Sequence, residues 1–213
     1  MKKGLKGAIF DLDGVIVDTA KYHYLAWRQL AQEYGFDISL EDNELLKGVS
    51  REQSLEIVLE IGKIKVTQEE KAKMTEKKNK KYVEYISSIT EEELLPGAKE
   101  YILHLRDLGI RIGLGSASRN ALFILSKLGI LSLFDAVVDG NKTTKAKPNP
   151  EVFLMASREL GVNPVNCVVF EDSIAGVQAA KVAGMYVVGV GKKEHLVDSD
   201  LVVTSLVHMP LWV

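Results

Sequence analysis

Two carboxylates two residues apart, Asp11 and Asp13, come directly after the apolar run Ala8-Ile9-Phe10, and Gly14 follows them. Such a run reads as the end of a buried strand, and the glycine gives the backbone freedom for a sharp exit. If the chain is still extended at the aspartates, both side chains project to one side. Their mutual repulsion then calls for a cation, and carboxylates with water are the oxygen ligands that suit magnesium (Mg2+). Aspartate and glycine also end strands simply as turn formers, a reading that accounts for one of the two carboxylates.

Three more polar clusters follow apolar runs. Ser116-Ala117-Ser118-Arg119-Asn120 comes after Gly113-Leu114-Gly115, Lys145-Ala146-Lys147-Pro148 after Ala136–Val138, and Glu171-Asp172-Ser173 after Cys167–Phe170. Acidic groups from two exits can hold one magnesium ion, while hydroxyls, amides and a lysine from the other two can hold phosphate oxygens. Each cluster has a plainer explanation. Ser116 or Ser118 can cap a helix, Lys147 can be a solvated loop lysine, and Glu171-Asp172 can favour a helix N-terminus through its dipole. Those explanations must hold at four exits at once, which favours the functional reading.

The flanking pattern shows which elements must position these groups. After Thr19 an amphipathic helix runs to Tyr34 and stops at Gly35, with His23, Trp27, Leu30, Ala31 and Tyr34 on one face. The loop Lys47-Gly48-Val49-Ser50-Arg51 leads into a second helix striped by Leu55, Val58 and Leu59; Ser50 with Gln53 has capping-box spacing, and Thr67 with Glu70 repeats it for a lysine-rich third helix. No strand is legible from Lys21 to Ser88. From Leu94 onward, strands at 110–114, 136–138, 167–170 and 185–190 alternate with helices. The expected fold class is therefore α/β: a Rossmann-like parallel sheet core with helices on both faces, formed by residues 1–17 and 91–213. A small all-helical cap domain, residues 18–90, is inserted after the first aspartate loop. Ligands of such sheets sit at the carboxyl ends of the strands.

The chain has 213 residues, 46% hydrophobic and 26% charged, with a net charge of -2. That near-neutral balance gives no support for nucleic-acid or membrane-surface partners. The single cysteine, Cys167, lies in an apolar run and reads as a buried thiol compatible with a reducing compartment. The apolar run after Lys2, Lys3 and Lys6 stops at Asp11, too early for a signal peptide, and no segment has the length of a membrane span. The expectation is a cytoplasmic monomer acting on a small molecule.

Taken together, Asp11-Leu12-Asp13-Gly14-Val15, the Ser116 exit, Lys147-Pro148 and Glu171-Asp172 resemble, in order and spacing, the four motifs of the haloacid dehalogenase superfamily of phosphotransferases. Asp18-Thr19, His23, Trp27, the Lys47–Arg51 loop, Ser54 and Lys78-Asn79 are similar to its sugar-phosphate mutase branch. The resemblance implies interconversion of β-glucose 1-phosphate and glucose 6-phosphate through an aspartyl phosphate and a bisphosphate intermediate. It implies Asp11 as nucleophile, Asp13 as general acid and base, and Ser116 and Lys147 as groups stabilising the transition state. His23 would couple Asp13 to cap closure. Magnesium would be held by Asp11, Asp13 (through its carbonyl), Glu171 and Asp172. Arg51, Ser118, Arg119 and Asn120 would bind the second phosphate, and Trp27, Gly48, Val49, Ser54 and Lys78 the sugar. Arg119 stands where that branch has lysine, the loop 139–144 differs, and no closing C-terminal helix is evident. A sugar-phosphate phosphatase is the competing activity. A non-catalytic binding protein is disfavoured because every catalytic position is filled.

Overall fold

The computed structural model describes residues 4–46 and 49–209. Six parallel strands form one sheet: β1 (Gly7–Phe10), β2 (Arg111–Gly115), β3 (Ala136–Val138), β4 (Cys167–Glu171), β5 (Tyr186–Val190) and β6 (Leu201–Val203), in the order β3-β2-β1-β4-β5-β6. The four central strands are near-continuous apolar runs because both faces are covered. Alternate residues serve the two faces: Ala8, Phe10, Val168 and Phe170 enter one apolar core, while Ile9, Val169 and Val187 enter the other. The Phe10 and Phe170 rings stack at 4.5 Å across β1 and β4.

The chain winds outward from β1 to β3 and then returns to place β4 on the other side of β1. The order therefore reverses between β1 and β4, the place where open α/β sheets form a binding crevice. Register puts Phe10 beside both Leu114 and Phe170. Asp11, Ser116 and Glu171 consequently leave the sheet side by side.

Between β1 and β2 stand α1 (Ala20–Glu33), α2 (Leu40–Glu44), α3 (Arg51–Ile61), α4 (Gln68–Ile86) and α5 (Ala98–Asp107). No strand interrupts residues 21–88 among those described. Helices α1 to α4 enclose their own apolar cluster, which includes Trp27, Leu30, Leu55, Val58 and Met74. Thr67 and Glu70 form the reciprocal capping box that their spacing predicts. Ser50 accepts from the Gln53 N–H at 3.2 Å, a one-way cap rather than the reciprocal box. Tyr34, expected on the packed face of α1, lies past the last turn and is 42% exposed. The remaining helices, α6 (Ala121–Lys127), α7 (Glu151–Glu159) and α8 (Ile174–Val182), follow β2, β3 and β4 in turn. The last element among the described residues is a short 3-10 turn at Leu206–His208. No described helix is long and apolar enough to cross a membrane.

Candidate active site

Lys147 sits at the centre of the sheet's carboxyl edge, almost fully buried. Its Nζ donates to Asp11 Oδ1 at 2.7 Å and to Glu171 Oε1 at 2.5 Å. Burial works against its charge, but the two carboxylates outweigh that effect and hold the ammonium firmly protonated. The second oxygen of Glu171 accepts from the Ser173 N–H at 2.8 Å and from Ser173 Oγ at 2.9 Å. This carboxylate is thus pinned at both ends. The solvated-lysine reading of Lys147 does not survive.

Asp11, Glu171 and Asp172 bring one oxygen each to within 4.8 Å of one another. An all-oxygen set of three carboxylates facing one ammonium fits a hard divalent cation. The backbone leaves room for that arrangement and no more. A Cβ at Gly14 would stand 2.1 Å from Asp172 Oδ2, and one at Gly176 would stand 1.8 Å from Glu171 Oε1. Gly14, at φ 82°, therefore serves the close approach of Asp172 as well as the turn.

The Asp13 carboxylate stands apart from that trio, and its Oδ1 is buried without a hydrogen-bond partner. Burial, with repulsion from Asp11 next, pushes its pKa up to about 7, against the pull of Lys147 and Lys78. A carboxyl group so tuned can carry a proton at neutral pH and also release it. Asp11 is raised too, by burial first, with Lys147 opposing.

Ser116 is buried at the exit of β2, where its Oγ accepts from the Ser118 N–H at 3.1 Å; Ser118 Oγ in turn accepts from the Asn120 N–H at 3.3 Å. Both hydroxyls shape the loop itself and neither caps α6, whose N-cap is Asn120. The neighbouring loop braces this turn: the Gly140 N–H donates to Ser118 O, and Asn141 Nδ2 donates to Arg119 O and Asp139 Oδ2. In the sequence residues 139–144 stand out only as a departure from the family pattern, with no local signal that they support the serine loop.

On the opposing wall, Lys78 of α4 is 3% exposed. Its Nζ meets His23 Nδ1 at 2.7 Å and lies 4.7 Å from the ring centres of both Trp27 and Tyr82. His23 stacks on Tyr82 at 4.0 Å. Burial, then the charges of Lys78 and Arg51, keep His23 well below its usual pKa, so the imidazole is neutral; burial, then Arg51, lowers Lys78 as well, and Nδ1 and Nζ share one hydrogen bond. Its hydrogen-bond partner here is Lys78 and not Asp13. Arg51 Nη2 donates to Asn79 Oδ1 at 2.8 Å. Arg119 pairs with Glu52 of α3 at 2.8 Å.

One cavity unites these groups. Asp11, Asp13, Asp172, His23, Trp27, Val49, Arg51, Ser54, Lys78, Ser116, Ser118, Arg119 and Asn120 all line it. Lys147 borders an adjoining opening shared with Ser116, Arg51 and Arg119, and Glu171 is buried among its partners. Gly48 lies outside the described residues. Asn43, Leu46 and Asn79 also line the cavity, although nothing in the sequence singled out Asn43 or Leu46. Single asparagines on helices carry no spacing signal. Ser54 Oγ already donates to Ser50 O at 3.0 Å, so toward the cavity it offers only acceptor capacity.

Comparison with known proteins places these features in a family. Residues 5–184 match the haloacid dehalogenase-like hydrolases. The β-phosphoglucomutase of Bacillus subtilis (strain 168) is 46% identical over 201 residues, covering 93% of this chain and 89% of that protein. A phosphorylated carbohydrates phosphatase of Thermotoga maritima is 33% identical over 183 residues, 85% of this chain and 82% of its own length. The 2.27 Å crystal structure of β-phosphoglucomutase from Clostridium difficile superposes with a TM-score of 0.94 at 47% identity, covering 97% of this chain and 93% of that one.

Proposed function

The chain belongs to the haloacid dehalogenase-like hydrolase family, and on that premise we propose that it is a phosphosugar mutase interconverting β-D-glucose 1-phosphate and glucose 6-phosphate. The observation that carries this reading is two sets of groups suited to anions, on one cavity and the opening that adjoins it. Lys147 with Ser116 forms the first, beside Asp11; Arg51 with Ser118 and Asn120 forms the second. A bisphosphate that leaves and returns by its other end needs both.

Asp11 is the nucleophile, and the phosphoryl group resides on its carboxylate as an aspartyl phosphate. In the forward direction the 6-hydroxyl of β-glucose 1-phosphate attacks that phosphorus while Asp13 takes the hydroxyl proton. The Asp11–phosphorus bond breaks, giving β-glucose 1,6-bisphosphate. After the bisphosphate turns round, Asp11 attacks the phosphorus at C1. Asp13 returns its proton to the departing sugar oxygen, which leaves glucose 6-phosphate. The pKa of about 7 at Asp13 suits both duties. Ser116 and Lys147 stabilise the charge spread over the transferring oxygens.

Asp11, Glu171 and Asp172, with the Asp13 carbonyl, would hold a magnesium ion, which when bound neutralises charge shared by carboxylate and phosphate. Arg51, Ser118, Arg119 and Asn120 bind the second phosphate, Arg119 exchanging its Glu52 partner for it. Trp27, Val49, Ser54 and Lys78 border the sugar, and His23 fixes Lys78. Residues 18–90 act as a cap over a core of 1–17 and 91–213, excluding water from the aspartyl phosphate. The enzyme works as a cytoplasmic monomer.

Hydrolysis of sugar phosphates is the second reading. It is favoured by the Thermotoga relative and by the adjoining opening beside Ser116 and Lys147, which gives water a route. Phosphorus NMR of β-glucose 1-phosphate incubated with enzyme, magnesium and a trace of the 1,6-bisphosphate decides between them. Glucose 6-phosphate supports the mutase, and free phosphate in stoichiometric yield refutes it.

A further inference from the structure

Asn79 lies on α4, next to Lys78, and its amide oxygen joins three elements. Asn79 Oδ1 accepts from Arg51 Nη2 at 2.8 Å and from Asn120 Nδ2 at 3.1 Å. Arg51 opens α3, and Asn120 precedes α6 on the loop that leaves β2. A single oxygen thus gathers one donor from the helical unit and one from the carboxyl edge of the sheet. Among the described residues Arg51 has no carboxylate partner, whereas its neighbour Arg119 is paired with Glu52. A guanidinium and an amide converging on one oxygen is also how a phosphate oxygen is held. The Asn79 amide supplies a neutral version of that contact at the cavity wall.

We propose that Asn79 is a positioning residue for the second phosphate: it holds Arg51 and Asn120 converged on one point, so the incoming anion meets two donors already in place. This inference rests on the mutase reading above. Arginine has many rotamers, and ordering it only when substrate arrives would subtract from binding. Tying its guanidinium to α4 through a neutral acceptor removes that loss without cancelling its charge. The same oxygen links cap and core across the cavity, beside the Arg119–Glu52 pair, so the clamp and the closed arrangement share a contact.

The test is a cycle of Asn79→Ala, Arg51→Ala and the double variant. Alanine is a stronger helix former than asparagine, so α4 persists. KM and kcat are measured for isomerisation of β-glucose 1-phosphate, alongside turnover of acetyl phosphate, an acyl phosphate with no second phosphate to clamp. Asn79→Ala is expected to raise KM for the sugar phosphate roughly ten-fold, with a smaller change in kcat and a smaller loss on acetyl phosphate. The double variant is expected to exceed Arg51→Ala in KM by clearly less than ten-fold, because only the hold on Asn120 remains to be lost. Multiplied effects in the double variant, an unchanged KM, or equal losses on both substrates would overturn the proposal. Asn79→Gln keeps the amide but carries its oxygen one methylene too far, so a wild-type KM there also counts against it. If the wild-type enzyme releases phosphate instead of isomerising, the mutase reading fails. With no second phosphate to bind, the role of Asn79 then falls with it, whereas isomerisation by the wild type with any of the variant results above overturns the role of Asn79 alone.

Discussion

Gly176→Ala sets two effects of opposite sign against each other. Gly176 lies in the first turn of α8, and alanine in a helix is favoured over glycine by up to about 1 kcal/mol. The new methyl carbon, however, would stand 1.8 Å from Glu171 Oε1. Contact distance requires the carboxylate to move by more than about 1 Å. It has little freedom to do so, because Lys147, the Ser173 N–H and Ser173 Oγ all donate to it and it is fully buried. Hydrogen bonds to a charged group contribute about 1.5–3 kcal/mol each, so losing two outweighs the helix term and leaves a net cost of about 2–5 kcal/mol. For a chain of this size that lowers Tm by roughly 4–20 °C. Thermal melts in EDTA read the loss at Lys147 and Ser173, and a magnesium titration of turnover reads the displaced ligand, with half-saturation shifting upward. A variant as stable as wild type, with unchanged magnesium dependence, would refute both the cradle and the ligand assignment of Glu171.

Three further perturbations probe separate parts of the site. Asp11→Asn keeps the shape but removes the nucleophile, so turnover and acid-stable phosphoenzyme both vanish; trapped phosphate on any other residue would contradict the assignment. Asp13 has a folded pKa of about 7 against 3.8 as its ordinary value, so its contribution to stability is complete below about pH 4 and is lost as pH rises through 7. In EDTA, Asp13→Asn should therefore gain on wild type in Tm between pH 4 and pH 8, and a gap independent of pH would argue against the raised pKa. His23→Ala removes the hydrogen-bond partner of Lys78 and one stacked ring worth about 0.5–1.5 kcal/mol. Turnover should fall more than ten-fold for a Tm loss of a few degrees, whereas a large Tm loss with normal specific activity would make His23 a packing residue.

The site was legible in the sequence where chemistry follows an apolar strand. Asp11, Ser116 and Glu171 each close a run whose length and composition mark a buried strand, so their neighbourhood followed from the parallel register. Not every short element was legible. Strand β6 and α2, of three and five residues, are too short to show a period, although β3, also of three residues, was legible as an apolar run. Contacts between distant side chains were hidden as well. His23 was placed on the correct helical face, but its contact with Lys78, 55 residues on, has no local signal. Gly14 was read as a turn residue, and only the folded chain shows Asp172 occupying the space beside it. Asn79 appeared in the sequence only as part of a resemblance; its bond to Arg51 depends on how α3 and α4 pack.

The fate of the phosphoryl group on Asp11 separates a mutase from a phosphatase. Enzyme labelled with phosphorus-32 on Asp11, freed of excess donor and mixed with unlabelled β-glucose 1-phosphate in a rapid-quench instrument, answers that in one turnover. The label is predicted to appear first in glucose 1,6-bisphosphate and then in glucose 6-phosphate, with little released as inorganic phosphate. Label appearing as inorganic phosphate at the rate at which the phosphoenzyme disappears would contradict the mutase and leave a phosphatase.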